Sequence, residues 1–183
     1  MHYADYMMLL SPPEQVNHEI KRYKQASVKH IGEFESMHSR AHISICMADR
    51  QKTFIIEPSL QRMAQKLSTM PPIVLHIRGF DFFKHGDKSM TIYANIDQTD
   101  SVKRWFRLLL QSMNLKLSLT PHITIVRNIP VHQFEVLWPY FAKAQYNDVF
   151  KIDGLTILKR DTFGHDQHWQ QHQLLPFNNR FFS

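Results

Sequence analysis

The chain has 183 residues, 43% apolar and 21% charged, which suits one soluble globular domain with a sizeable core. No apolar run approaches the roughly 20 residues that span a bilayer, and the single cysteine, Cys46, excludes an intramolecular disulfide and a cysteine-based zinc site. Lys and Arg outnumber Asp and Glu by 22 to 16, with twelve histidines besides, a balance that favours anionic partners such as nucleic acid or phosphorylated small molecules. The N-terminal stretch has neither a basic n-region nor a small-residue cleavage site, so no signal peptide is expected and a reducing cytoplasm is the default.

Along the chain, "YADYMMLL" (3–10) reads as a short buried strand. Ser11 then reads as the cap of a helix to about residue 27, with Pro12 at its first position and Glu14 three residues after the cap. The stretch 34–48 contains the next strand, and 57–70 carries Leu60, Met63, Ala64 and Leu67 at helical spacing. Residues 72–86 and 89–96 read as two strands joined by a turn at Gly86-Asp87. A helix over 99–114, capped by Thr99 or Asp100, precedes a strand over 120–128. A further helix over 130–145 contains Pro139. Residues 148–161 read as one strand, with 169–177 as its hairpin partner.

Laid side by side, the halves repeat. Each has a helix, a strand bearing histidine, a second helix and a strand with a central glycine, "HIRGFDFF" around Gly79 and "KIDGLTIL" around Gly154. The histidines stand 80 residues apart, in "RAHISICM" (40–47) and "TPHITIVRN" (120–128). No Gly-, Ser- or Pro-rich linker separates the halves. The expectation is a single α+β domain over 1–183, bilobal, with duplicated antiparallel sheets, helices on the outer faces and a central groove where the motif strands meet.

Strand side chains alternate faces, so His42, Ser44 and Cys46 share one face and Ile43 and Ile45 the other. His122 and Thr124 likewise oppose Ile123 and Ile125. With the isoleucines on the helices, two imidazoles and two hydroxyls would converge on one pocket. An imidazole titrates near 6.5, so one can accept a proton from an attacking hydroxyl or water while the other donates to a departing oxygen. A phosphodiester fits, because attack and departure occur on opposite faces of phosphorus, and neighbouring hydroxyls can donate to its oxygens.

With its paired "HISI" and "HITI", its "PHITIVR" and its "SPPEQV" after the first strand, the sequence resembles the two-histidine (2H) phosphoesterase superfamily, which contains the 2′-5′ RNA ligase and cyclic phosphodiesterase proteins. The resemblance spans nearly the whole chain. It implies metal-independent opening of cyclic phosphodiesters, 2′,3′-cyclic nucleotides or RNA ends, with no cofactor. His42 and His122 would be the proton-transfer pair, His122 as base and His42 as acid, and Ser44 and Thr124 the phosphate-contacting hydroxyls. The partner expected is a nucleotide or an RNA with a cyclic phosphate end, with no DNA and no membrane. A binding module on the same scaffold, with weak or lost catalysis, is the alternative.

Three further residues are candidate substrate contacts. Arg40 shares the parity of His42, and is either a phosphate contact or a solvated arginine. Arg127 belongs to "PHITIVR" but shares the parity of Ile123 and Ile125. A regular strand points it away from the groove unless the strand ends or bulges before it. Tyr6 reaches the groove from the first strand or packs in the core. Phe82, Phe83, Phe163 and Trp169 are candidate base-stacking aromatics. His165, His168 and His172 follow no fixed helical face, so the stretch reads as a His-rich surface loop rather than a metal site.

Overall fold

The computed structural model describes residues 2–164 and 168–179. Among these lie eight strands and four helices: β1 (Tyr3–Leu10), α1 (Glu14–Ile31), β2 (Ile43–Lys52), α2 (Thr53–Leu67), β3 (Ile73–His85), β4 (Ser89–Ile96), α3 (Asp100–Ser112), β5 (His122–Pro130), α4 (Val131–Lys143), β6 (Asn147–Ile152), β7 (Gly154–Asp161) and β8 (Gln170–Pro176). The strands form two four-stranded antiparallel sheets, in the orders β2-β1-β7-β8 and β5-β4-β3-β6. The fold is α+β, as the alternation of patterns implies.

The duplication is visible in the pairing. β3 and β6 run antiparallel with Leu75 opposite Phe150, and these two residues stand four before Gly79 and four before Gly154. β3 and the strand leading up to Gly154, β6, therefore meet about a pseudo-two-fold axis, and each half lends strands to the sheet of the other. β3, from the first half, joins β4 and β5; β7 and β8, from the second, join β1 and β2. The helices exchange as well, with α1 packed on α4 and β5.

Two local expectations are corrected. Residues 148–161 are two strands in different sheets, not one: the chain breaks at Asp153, whose carbonyl accepts the Phe177 amide at 2.8 Å. Gly154 allows the break, because a Cβ there would stand 3.1 Å from the Leu175 carbonyl oxygen. Ser11 is not the helix cap. Its hydroxyl is engaged with that of Thr156 at 3.0 Å, and Pro13 takes the cap position without a side-chain bond. Thr99 does cap α3, accepting from the Val102 amide.

The isoleucines of both motifs, Ile43, Ile45, Ile123 and Ile125, are buried in one hydrophobic cluster that draws on both sheets. Their motif strands, β2 and β5, are edge strands of their sheets and approach one another. The two histidine strands thus lie where the two sheets meet.

On the opposite face of the first sheet, three groups converge on Glu57 of α2. Tyr6 Oη donates to Oε1 at 3.0 Å, Lys159 Nζ reaches the same oxygen at 3.2 Å, and His172 Nε2 lies 3.1 Å from Oε2. Burial pushes the Glu57 carboxyl up, but the bonds from His172, Lys159 and Tyr6 outweigh it and hold it below the usual range. Tyr6 is 0% exposed, so Glu57→Ala strands a buried hydroxyl. The expected loss is about 2 kcal/mol of stability, read as a lower denaturant midpoint at unchanged slope. A midpoint equal to wild type would show that the cluster contributes nothing.

Candidate active site

His42 and His122 are held in the same way. His42 Nδ1 donates to the Arg40 carbonyl at 2.8 Å and His122 Nδ1 donates to the Thr120 carbonyl at 2.7 Å, each two residues back along its own chain. A carbonyl oxygen can only accept, so in both rings Nδ1 carries the proton and Nε2 holds the lone pair. Each ring is half-buried and each neighbouring hydroxyl is open, Ser44 exposed and Thr124 half-buried, while the interleaved isoleucines are buried. The alternation read from the sequence therefore holds across both motifs as far as the hydroxyls.

Beyond the hydroxyls it fails, and it fails identically in both halves. In β2, Leu9 pairs with Ser44 and Met8 with Cys46, leaving Ile45 unpaired. In β5, Tyr93 pairs with Thr124 and Ile92 with Val126, leaving Ile125 unpaired. Each is a β-bulge one residue after the motif hydroxyl, and an extra residue inverts the parity of the strand beyond it. Val126 is buried like Ile125, and Arg127 turns outward onto the face of His122 and Thr124. In β2 the same inversion takes Cys46 off the groove face. Its thiol contacts the Met8 sulfur at 3.5 Å, and burial pushes its pKa up to about 11. Met47, 54% exposed, takes the place that Arg127 holds in the other half. The expectation that Cys46 shares the face of His42 is thus corrected.

The charges fit an anion. Burial lowers the pKa of His42, the bond to the Arg40 carbonyl opposes that, and Lys24, Arg127 and His122 lower it further. Burial likewise lowers His122, against its bond to Thr120, and Arg127 lowers it again. The histidines are therefore close enough for the charge of one to be felt by the other, and the Arg127 charge reaches both. The cations that, after burial, oppose a positive charge on the rings would attract an anion placed beside them.

The halves differ in what surrounds each imidazole. His122 packs against Phe83 (centroids 4.9 Å apart) and Tyr93 (5.0 Å), which stack on each other at 4.3 Å. Burial, and after it the charge of Asp81 that accepts its hydrogen bond, push the Tyr93 phenol up to about 12, so it remains a neutral donor. Strand parity at 93 is the signal that would have found it, since it lies opposite Thr124. Beside His42 the corresponding positions are aliphatic, with Leu9 opposite Ser44.

Other candidates lie elsewhere. Tyr6 does not line the groove: it occupies the core parity of β1, faces α2 and gives its hydroxyl to Glu57. Arg40 precedes the strand, so parity does not govern it, and its guanidinium pairs with Glu14 of α1 at 2.6 Å. Phe82 packs on Phe134 and Trp138 of α4, Phe163 on Tyr3, and Trp169 under Arg160. Only Phe83 of the four aromatics meets a motif histidine. His165 lies outside the described residues, and His172 turns to Glu57. Among the described residues no group of three His, Cys, Asp or Glu side chains is placed to hold a metal ion.

One residue that sequence reasoning passed over stands close by. Lys24 falls on the apolar stripe of α1 with Val16, Ile20 and Ser27, and is 2% exposed. Burial lowers its ammonium to about 8. A lysine at a core position of an otherwise regular helical stripe was the available signal.

Against known proteins, the family described as the 2′-5′ RNA ligase superfamily matches residues 12–163. No functionally curated protein matches the chain. Among solved structures, Escherichia coli LigT complexed with phosphate is 8% identical and aligns over 97% of this chain and 99% of its own, with a TM-score of 0.62. TT0787 of Thermus thermophilus is 11% identical over 95% of this chain and 98% of its own, with a TM-score of 0.65. Usb1 of Kluyveromyces marxianus is 8% identical over 95% and 98%, with a TM-score of 0.54. At such identities the likeness is one of fold.

Proposed function

The chain belongs to the 2′-5′ RNA ligase superfamily, and on that footing we propose that it is a metal-independent phosphodiesterase opening 2′,3′-cyclic phosphodiesters of nucleotides or RNA ends. The observation that carries this reading is the matched pair of imidazoles, each with Nδ1 tied to its own backbone and Nε2 without a hydrogen bond among the described residues. LigT complexed with phosphate and with 3′-AMP is compatible with an anionic nucleotide ligand in this fold.

In the proposed reaction, His122 Nε2 takes a proton from water as its oxygen attacks phosphorus. The bond to one ribose oxygen breaks, and protonated His42 delivers the Nε2 proton to that oxygen, leaving a phosphomonoester. The Nδ1 bonds to Arg40 and Thr120 persist in both protonation states and fix the ring orientations. Burial, and after it the Lys24 and Arg127 cations, oppose a charge on His42, which favours transfer of its proton to the leaving oxygen. Ser44, Thr124 and Arg127 would donate to the phosphoryl oxygens, whose charge grows in the transition state. A reducing cytoplasm is the compartment proposed, in keeping with a lone thiol that is half-buried and protonated.

The test is turnover of nucleoside 2′,3′-cyclic monophosphates in EDTA. Undiminished turnover is expected, since neither proton transfer involves an ion. Loss on chelation, restored by a divalent cation, would sink the metal-free mechanism. Nucleotide binding without turnover would favour a binding module.

A further inference from the structure

The bulge that turns Arg127 toward the histidines is held on its inner side by β4, where Thr91 Oγ1 accepts the Asn128 amide at 3.0 Å, and on its outer side from beyond its own sheet. β5 is an edge strand, so the Ile125 carbonyl and the Arg127 amide have no ladder partner on the outer side. One side chain from the other half of the chain satisfies both. Ser36, 7% exposed in the segment between α1 and β2, donates from Oγ to the Ile125 carbonyl at 3.1 Å and accepts the Arg127 amide at 3.0 Å. Its hydroxyl does there what one residue of a neighbouring strand would do.

Ser36 is itself fixed by Lys24. The buried ammonium donates to the carbonyls of Ser36 (2.7 Å) and Ser39 (2.8 Å) and to Ser39 Oγ (2.8 Å). Ser39 Oγ donates in turn to the same Ser36 carbonyl at 2.8 Å. All three acceptors of the ammonium are neutral. A core position would be cheaper to fill with leucine, because burying an ammonium costs free energy that neutral acceptors return only in part.

We propose that Lys24 and Ser36 are positioning residues, which act through the β5 bulge to aim Arg127 at the phosphate between His42 and His122. This role rests on the phosphodiesterase reading above. It also explains why the segment before the first histidine is tied to the strand of the second: one latch sets the geometry of both halves of the site.

The experiment compares kcat/KM on a nucleoside 2′,3′-cyclic monophosphate for wild type, Ser36→Ala, Ser36→Thr, Lys24→Met, Arg127→Ala and the double variant Ser36→Ala/Arg127→Ala. Ser36→Ala and Lys24→Met are each expected to lower kcat/KM by about 10-fold, since small displacements of a positioning group are costly. Ser36→Thr, which keeps the hydroxyl, should recover activity. The decisive reading is coupling: once Arg127 is absent, Ser36→Ala should cost nothing further. An equal loss from Ser36→Ala with and without Arg127, or no loss at all, overturns the proposal. Lys24→Met reports on the same latch should Ser36→Ala not fold. If Arg127→Ala is silent while His42→Ala is inactive, the inference fails and the two-histidine reading stands. If wild type itself shows no turnover, both fall.

Discussion

Replacing either histidine with alanine is expected to lower kcat on a nucleoside 2′,3′-cyclic monophosphate by about 100- to 10,000-fold, the usual contribution of a positioned proton-transfer group. Neither substitution should unfold the protein, because both rings lie beside the core rather than in it. Their backbone bonds are made to carbonyls that water can reach. The two losses should not multiply. With one partner gone the other has no matching step to serve, so the double variant should sit near the worse single variant. Steady-state kinetics on the three variants, with melting curves to certify folding, decide the matter. Activity within about three-fold of wild type in either single variant would remove that histidine from the chemistry.

Arg127→Ala should both weaken turnover and move its pH dependence. The weakening, about 100- to 1,000-fold in kcat, is the loss of a donor to charge that develops on phosphorus oxygens. The pH effect has a definite sign. Burial lowers the pKa of both imidazoles below 6.5, and the Arg127 cation lowers both further, behind Lys24 in the case of His42. A lowered pKa means that the proton leaves at a lower pH. In kcat/KM, which reports the free enzyme, the limb that tracks loss of the acid therefore lies on the acid side of an ordinary imidazole. Removing the guanidinium deletes one lowering influence from each ring, so both limbs should shift to higher pH. A profile that stays put, or shifts toward acid, would place Arg127 away from the histidines.

Strands and helices announce their faces by period, and much of the molecule is legible for that reason. The isoleucines at 43, 45, 123 and 125 fall on the core side as alternation requires, and β1 and β4 begin and end where their apolar runs do. Alternation is a statement about regular strands, however, and it stops at a bulge. Cys46 and Arg127 therefore sit on the faces opposite to those a regular strand gives them, through the same one-residue shift in equivalent places. Tyr6 is ambiguous in sequence because a tyrosine suits a groove or a core equally. Its partner, Glu57, comes from another element. Arg40 escapes strand parity because its stretch is not strand.

Local period and spacing alone carry the duplication, the fold class, the recurrence of a histidine strand in each half and the hydroxyl beside each ring. The three-dimensional packing was needed to learn that the glycine strands exchange between sheets, that both motif strands bulge, and that Lys24 and Ser36 hold one of those bulges. The reason is physical. A bulge is fixed by which partners satisfy the unpaired backbone groups, and here the partner is a serine 89 residues away, whose reach no local pattern encodes.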